Sequence, residues 1–344
     1  MRAFVLHGKE NLRREDLARP RPQPGQVLVR VRRTGICGSD VHYFRHGRVG
    51  NFVPKRPFVL GHEFAGEVVE AGVGVTGLEV GMRVAIDPSQ PCGACRHCRS
   101  GRYNLCENMR YFGSASCDPH LDGGFAEFVA VPARNCHEMP AGMDWGEAAM
   151  LEPLSVALHA ALRAGPVAGR SVLVTGGGAI GQLVALAVRA LGAGCVALSD
   201  PVAFPRRFAA EMGADAVIDP ADPASGQKAL DLTDSGFDCV FEAAGSAPAL
   251  AQALHVARRG GTIVQVGTLP PEVPLPANLI MTKELNVLGS FRFAHVFPMA
   301  LQFVASRRIN VAPLISQTFP FEETLQAMAR AASKDNVIKV QIES

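Results

Sequence analysis

Apolar and polar positions divide this chain into two textures. From residue 1 to about 150, short apolar runs such as Gln26-Val-Leu-Val-Arg-Val-Arg and Glu67-Val-Val-Glu are broken by Gly, Pro and polar residues. That pattern predicts short strands in an irregular, mainly β domain. From about 155 to 288, apolar strands alternate with Ala-rich helical stretches. Six strands are predicted there, from Val172 to Thr175, Cys195 to Ser199, Ala216 to Ile218, Cys239 to Glu242, Thr262 to Val266 and Val287 to Gly289. They suffice for a doubly wound parallel sheet, so the fold class is α/β. Beyond about 290, Met299-Ala-Leu-Gln-Phe-Val-Ala predicts a helix and Val337-Ile-Lys-Val-Gln-Ile a closing strand.

The junction of the first of those strands with its helix carries a recognisable chemistry. Val172-Leu-Val-Thr175 breaks into Gly176-Gly-Gly178-Ala179-Ile180-Gly181, a G-x-G-x-x-G run, and then into an apolar helical stretch from Gln182. Glycines there permit a tight turn and close backbone approach, so a pyrophosphate can rest on the helix N-terminus. The next strand ends at Asp200, nineteen residues after Gly181. A carboxylate at that point accepts hydrogen bonds from the adenosine ribose and repels the extra phosphate of NADP⁺. NAD is therefore the expected cofactor, with Val266 at a later strand end as a further contact. Arg206 and Arg207 follow closely and leave NADP use open.

Four cysteines, Cys92, Cys95, Cys98 and Cys106, stand at C-x2-C-x2-C-x7-C spacing. Short gaps let a tight loop turn successive thiolates onto one tetrahedral Zn²⁺. Four protein ligands leave no open position, so this zinc is read as structural. Upstream, Cys37 in Gly35-Ile-Cys37-Gly-Ser39 and His62 in Leu60-Gly61-His62-Glu63 suit a second zinc with an incomplete protein shell. The remaining Cys117, Cys136, Cys195 and Cys239 read as small core or surface residues.

Composition changes this picture little. The chain has 344 residues, 48% hydrophobic and 19% charged, with a net charge of +2. Such a balance argues against a polyanionic partner, and no basic tract points to nucleic acid. The N-terminal apolar run is too short for a signal peptide, and no segment reads as a membrane partner or span. Nine cysteines, five of them assigned to metal, suit a reducing compartment, so the cytoplasm is the expected location.

On Gly61-His62-Glu63-Phe-Ala-Gly66-Glu-Val, the four-cysteine lobe, Gly123-Gly124-Phe125-Ala-Glu127 and the Gly176 to Gly181 fingerprint, the whole chain resembles the zinc-containing medium-chain dehydrogenases/reductases. The segment from Cys37 to Phe44, with Glu152-Pro153-Leu154-Ser155-Val-Ala-Leu-His159-Ala, resembles their polyol (sorbitol-type) branch. Asp87-Pro-Ser-Gln-Pro-Cys, Met109-Arg110-Tyr111-Phe112-Gly113-Ser114-Ala115 and Pro119-His120-Leu-Asp122-Gly-Gly-Phe resemble the sugar-acid enzymes of that branch, the L-idonate 5-dehydrogenases. The resemblance implies a GroES-like mainly β catalytic domain over 1–154, an inserted NAD-binding Rossmann domain over 155–289, and a return to the first domain over 290–344. It also implies a homodimer or homotetramer formed through the edge of the cofactor sheet.

For the site, the resemblance implies two zinc ions per chain and places Glu63 and Glu152 at the catalytic one beside Cys37 and His62. Which carboxylate binds directly stays open. It supports Ser39 as acceptor of the alcohol proton, passed through the cofactor ribose to His42, and it matches Arg292 to a substrate-binding Arg. A sugar acid further calls for a cation to meet its carboxylate; Arg110 and His120 are the candidates, with Tyr43 and Phe112 lining the cleft. Three functions compete: a sugar-acid dehydrogenase, a neutral polyol dehydrogenase, and a zinc-stapled nucleotide binder without catalysis.

Overall fold

The computed structural model describes residues 1–333 and 336–344. They form two compact units, one of Met1–Glu152 with Phe297–Ser344, the other of Pro153–Val296.

In the second unit, six parallel strands lie in the order Ala216–Ile218, Cys195–Ser199, Ser171–Thr175, Phe237–Glu242, Ala257–Gln265, Asn286–Gly289. Counted along the chain this is 3-2-1-4-5-6, the doubly wound arrangement of a Rossmann domain. Its central strands read as continuous apolar runs because parallel strands are covered on both faces; Val172, Leu173, Val174, Val240 and Phe241 are all fully buried. Ala257–Gln265 begins before the predicted strand, running through Arg258-Arg259-Gly260. These three residues are exposed and the register shifts beside them, between Phe237 and Cys239. The ladder passes from Ala257 directly to Thr262, so these residues bulge out of it and carry no apolar strand pattern.

In the first unit the main sheet runs Cys136–Glu138, Arg83–Ile86, Glu63–Ala71, Gln26–Gly35, Lys339–Glu343, Ile315–Pro320, with Phe128–Pro132 also paired to Gln26–Gly35. This is the GroES-like mainly β domain. Val27, Val29, Val31, Phe64, Val68, Val84 and Ile86 make one core cluster. Phe4, Phe58, Phe125, Phe321 and Ile342 belong to another. Each such side chain contributes about 1.5–3 kcal/mol by leaving water. The closing strand pairs antiparallel with Gln26–Gly35, setting Gln341 opposite Gly35, while Gly35 also pairs with Glu63. Glycine is required there, since a Cβ would lie 2.0 Å from Glu63 Oε2. Three separate stretches of sequence thereby converge on one buried point.

Among the described residues, no helix is long and apolar enough to cross a membrane.

Candidate active site and metal centres

Cys37 leaves the strand Gln26–Gly35 and caps the helix Gly38–His46 in a reciprocal box with Asp40, whose Oδ2 accepts the Cys37 N–H at 2.8 Å. Asp40 is fully buried. Its Oδ1 accepts the Gly61 N–H at 3.3 Å and lies 3.8 Å from His62 Nδ1. One carboxylate thus fixes the backbone ahead of both Cys37 and His62, while the buried His62 Nδ1 makes no hydrogen bond to it.

Ligand atoms of Cys37, His62 and Glu63 all lie within 4.8 Å of one another. Glu63 is 1% exposed and is gripped by Lys339, whose Nζ donates to both carboxylate oxygens at 2.7 Å and to the Ile36 carbonyl at 3.2 Å. Glu152, in the first turn of the helix Leu151–Arg163, stays outside that set of three. Its Oε1 accepts from the Tyr111 hydroxyl at 2.6 Å, and the Tyr111 and His62 rings are 5.9 Å apart.

The charges there call for a cation. Burial alone would lower the His62 pKa, yet Asp40, Cys37 and Glu152 outweigh it and hold it well above its ordinary value. Burial, reinforced by Glu63, pushes Glu152 up to about 7 against the opposing effects of His62 and Tyr111. A thiolate, an imidazole and a carboxylate are the donor set of an open zinc site.

Cys92, Cys95, Cys98 and Cys106 likewise bring their sulfurs within 4.8 Å of one another. Cys98 Sγ lies 4.0 Å from Cys92 Sγ and 3.5 Å from Cys95 Sγ. A tetrahedron of Zn–S bonds of about 2.3 Å has edges of about 3.8 Å, so the thiols are spaced for zinc. Backbone N–H groups of Cys98 and Glu107 lower the Cys95 thiol to about 6, favouring the thiolate that a metal needs.

In the second unit, the helix Ala179–Ala190 begins at Gly178, which provides no side-chain cap. A Cβ on Gly181 would sit 1.7 Å from the Gly176 carbonyl, whereas one on Gly178 would meet nothing within 4 Å. Gly181 is therefore required by packing, and Gly178, exposed at the turn with Ala179 and Ile180 behind it, leaves a cradle that suits a pyrophosphate. Gly181→Ala is expected to destabilise the unit, seen as a lower thermal midpoint. Gly178→Ala should keep that midpoint and weaken NADH binding in a fluorescence titration.

Asp200 closes the second strand. Its oxygens accept the Gly177 N–H at 2.7 Å and the Val202 N–H at 2.8 Å. Arg206 donates to the Asp200 carbonyl at 2.6 Å and pairs with Asp219 at 2.8 Å. Val266 follows its strand and donates its N–H to the Glu242 carbonyl at 2.8 Å. Fingerprint, acid and later strand end all lie at the carboxyl edge of one parallel sheet, where such folds bind dinucleotides.

Two stretches of this chain match family models, the alcohol dehydrogenase GroES-like domain over residues 23–141 and the zinc-binding dehydrogenase domain over 179–306. A probable D-xylulose reductase A of Aspergillus terreus is 41% identical over 94% of this chain and 93% of its own length. The chain is a zinc-containing medium-chain dehydrogenase of the polyol branch. The sorbitol dehydrogenase of Bacillus subtilis is 36% identical over 99% of this chain and 97% of its own. The crystal structure of L-idonate 5-dehydrogenase from Escherichia coli superposes with a TM-score of 0.91 and 37% identity, covering 100% of this chain and 98% of that one. The protein is thus a zinc- and NAD-dependent dehydrogenase of the polyol and sugar type.

Several expected substrate contacts are engaged elsewhere. His120 is buried, with Nε2 accepting the Lys55 N–H at 2.9 Å and Nδ1 donating to the Cys117 carbonyl at 2.6 Å. Neither ring nitrogen is left to meet a carboxylate. Phe112 packs edge-to-face on Phe64 at 5.7 Å inside the sheet core, so it is a core residue. Tyr43 is also buried; its hydroxyl accepts the Ala115 N–H at 3.0 Å and its ring meets Phe58 edge-on. Arg110 is exposed in the strand Arg110–Tyr111, and alternation puts it on the face opposite Tyr111. Arg292, in the second unit, is half-buried with positive φ and stacks over Phe291. Ser39 is half-buried near the start of its helix and His42 exposed three residues on. Asp40, Tyr111 and Lys339 are polar contacts of the cluster that motif reading did not single out.

Proposed function

We propose that this dehydrogenase oxidises a secondary alcohol of a sugar acid, L-idonate to 5-ketogluconate, with NAD⁺. The observation that carries the chemistry is the buried Cys37, His62 and Glu63 set with Glu152 beside it. Bound there, zinc supplies a Lewis acid to the alcohol, and the nicotinamide supplies the hydride acceptor. The chain does the rest. Asp40 fixes the backbone ahead of Cys37 and His62, Lys339 offsets the Glu63 charge, and Tyr111 holds Glu152. Ser39 accepts the alcohol proton and hands it toward His42, which lies on the same helix face three residues later. The carboxylate of Asp200 favours NAD⁺ over NADP⁺. Assembly as a homodimer or homotetramer is supported by the strand Asn286–Gly289, which ends its sheet and leaves Val287 exposed.

Whole-length likeness to the Escherichia coli enzyme supports L-idonate as the substrate. A second reading, a neutral polyol such as sorbitol or xylitol, is favoured by the names of the curated relatives and by the engagement of His120. NADH formation with L-idonate, sorbitol and xylitol at matched concentrations separates the two. A tenfold preference for L-idonate in kcat/KM, about 1.4 kcal/mol of transition-state discrimination, is expected. Preference for the neutral polyols would establish the second reading.

A further inference from the structure

We infer that Glu242 is a positioning residue for the nicotinamide half of the dinucleotide, acting by tying together two turns at the carboxyl edge of the parallel sheet. The inference rests on reading the Gly176 to Gly181 turn as the pyrophosphate site. The strand order reverses between the first strand, Ser171–Thr175, and the fourth, Phe237–Glu242. With the fingerprint and Asp200 serving the adenosine half, the turns after the fourth and fifth strands remain for the other half. Glu242 ends the fourth strand and is fully buried. Its Oε1 accepts the Gly245 N–H at 2.7 Å and the Ser246 N–H at 3.4 Å, which holds the first of those turns. Its carbonyl accepts the N–H groups of Val266 and Gly267, both at 2.8 Å, which holds the second.

The two turns close on each other because glycine faces glycine. A Cβ on Gly267 would lie 2.3 Å from the Gly245 nitrogen and 2.8 Å from Glu242 Oε2, and one on Gly245 would lie 2.6 Å from the Thr268 carbonyl oxygen. The first turn also abuts the fingerprint, for a Cβ on Gly176 would lie 2.6 Å from the Ala244 nitrogen. Ala244 and Thr268 are exposed above this buried contact, at the point of strand-order reversal where such sheets bind their ligands. Glu242 Oε2 is buried without a hydrogen-bond partner. An unpaired carboxylate oxygen in a dry site is destabilising, so stability does not account for this side chain, whereas the turns it shapes do. Burial raises its pKa against the opposing N–H groups of Gly245, Ser246 and Ala244, so a neutral isostere should be no less stable.

The test uses the zinc-loaded protein and two probes, NADH by fluorescence titration and ADP by calorimetry, since ADP fills only the adenosine and pyrophosphate half. Glu242→Asp keeps the charge but withdraws the acceptor from Gly245. It should weaken NADH binding at least tenfold and leave ADP within about twofold. Glu242→Gln keeps the acceptor, so it should bind both probes as the wild type does, with a urea midpoint no lower. Gly267→Ala parts the two turns from their exposed side and should give the same selective loss of NADH, which decides the matter if the Asp variant does not fold. Equal losses of NADH and ADP would overturn the inference, as would unchanged NADH binding in both Glu242→Asp and Gly267→Ala, or a Gln variant as weak as the Asp one. A wild type that binds neither NADH nor ADP would instead overturn the reading of the Gly176 to Gly181 turn.

Discussion

His62→Ala is expected to reduce zinc from two to one per chain and to lower turnover by about 10⁴-fold, the several kcal/mol that a Lewis acid contributes to such a transition state. The loss should be selective. The four thiols of Cys92, Cys95, Cys98 and Cys106 form their own cluster, and the Gly176 to Gly181 turn lies in the second unit. One zinc and NADH binding should therefore survive, as read by atomic absorption and fluorescence. Loss of both zinc ions would mean that the two sites do not form independently. Unchanged turnover would remove the Cys37, His62 and Glu63 set from the chemistry.

The second large effect concerns stability. Lys339 is 4% exposed and Glu63 1%, and they are held at 2.7 Å. Burial lowers the Lys339 pKa, but Glu63 and Cys37 reverse that and raise it. In the zinc-free protein, Lys339→Met strands a buried carboxylate, which costs about 3–5 kcal/mol. The urea midpoint should drop accordingly with an unchanged slope. Adding Glu63→Gln removes the stranded charge and should recover most of the loss without recovering activity. Were the single variant as stable as the wild type, Glu63 would not depend on Lys339.

What the sequence disclosed, and what it hid, follows from the kind of signal each feature leaves. The parallel sheet was legible because strands covered on both faces must be apolar throughout, as from Val172 to Thr175. The four-thiolate lobe was legible because its ligands are close in sequence. Lys339 was harder, as its partner lies 276 positions away; the hint was Lys339 and Gln341 alternating with Val340 and Ile342 in the closing strand. Asp40 carried a local sign, standing three residues after Cys37 as a capping-box acid does. Tyr111 and Phe112 could be told apart only by parity. A one-residue shift exchanges the faces of a strand, and the two-residue strand Arg110–Tyr111 is too short for its own pattern to settle which ring points at Glu152. His120 looked available because two backbone partners from separate loops leave no trace in spacing.

The proposed chemistry requires two zinc ions in this chain, one of them in the buried set of Cys37, His62 and Glu63. Anomalous diffraction at the zinc edge from crystals of the zinc-loaded protein tests that requirement directly. Two peaks per chain are predicted, one among Cys92, Cys95, Cys98 and Cys106, the other among Cys37, His62 and Glu63. A single peak at the four cysteines, in a preparation that still reduces NAD⁺ with a polyol or sugar acid, would exclude a catalytic zinc at Cys37, His62 and Glu63.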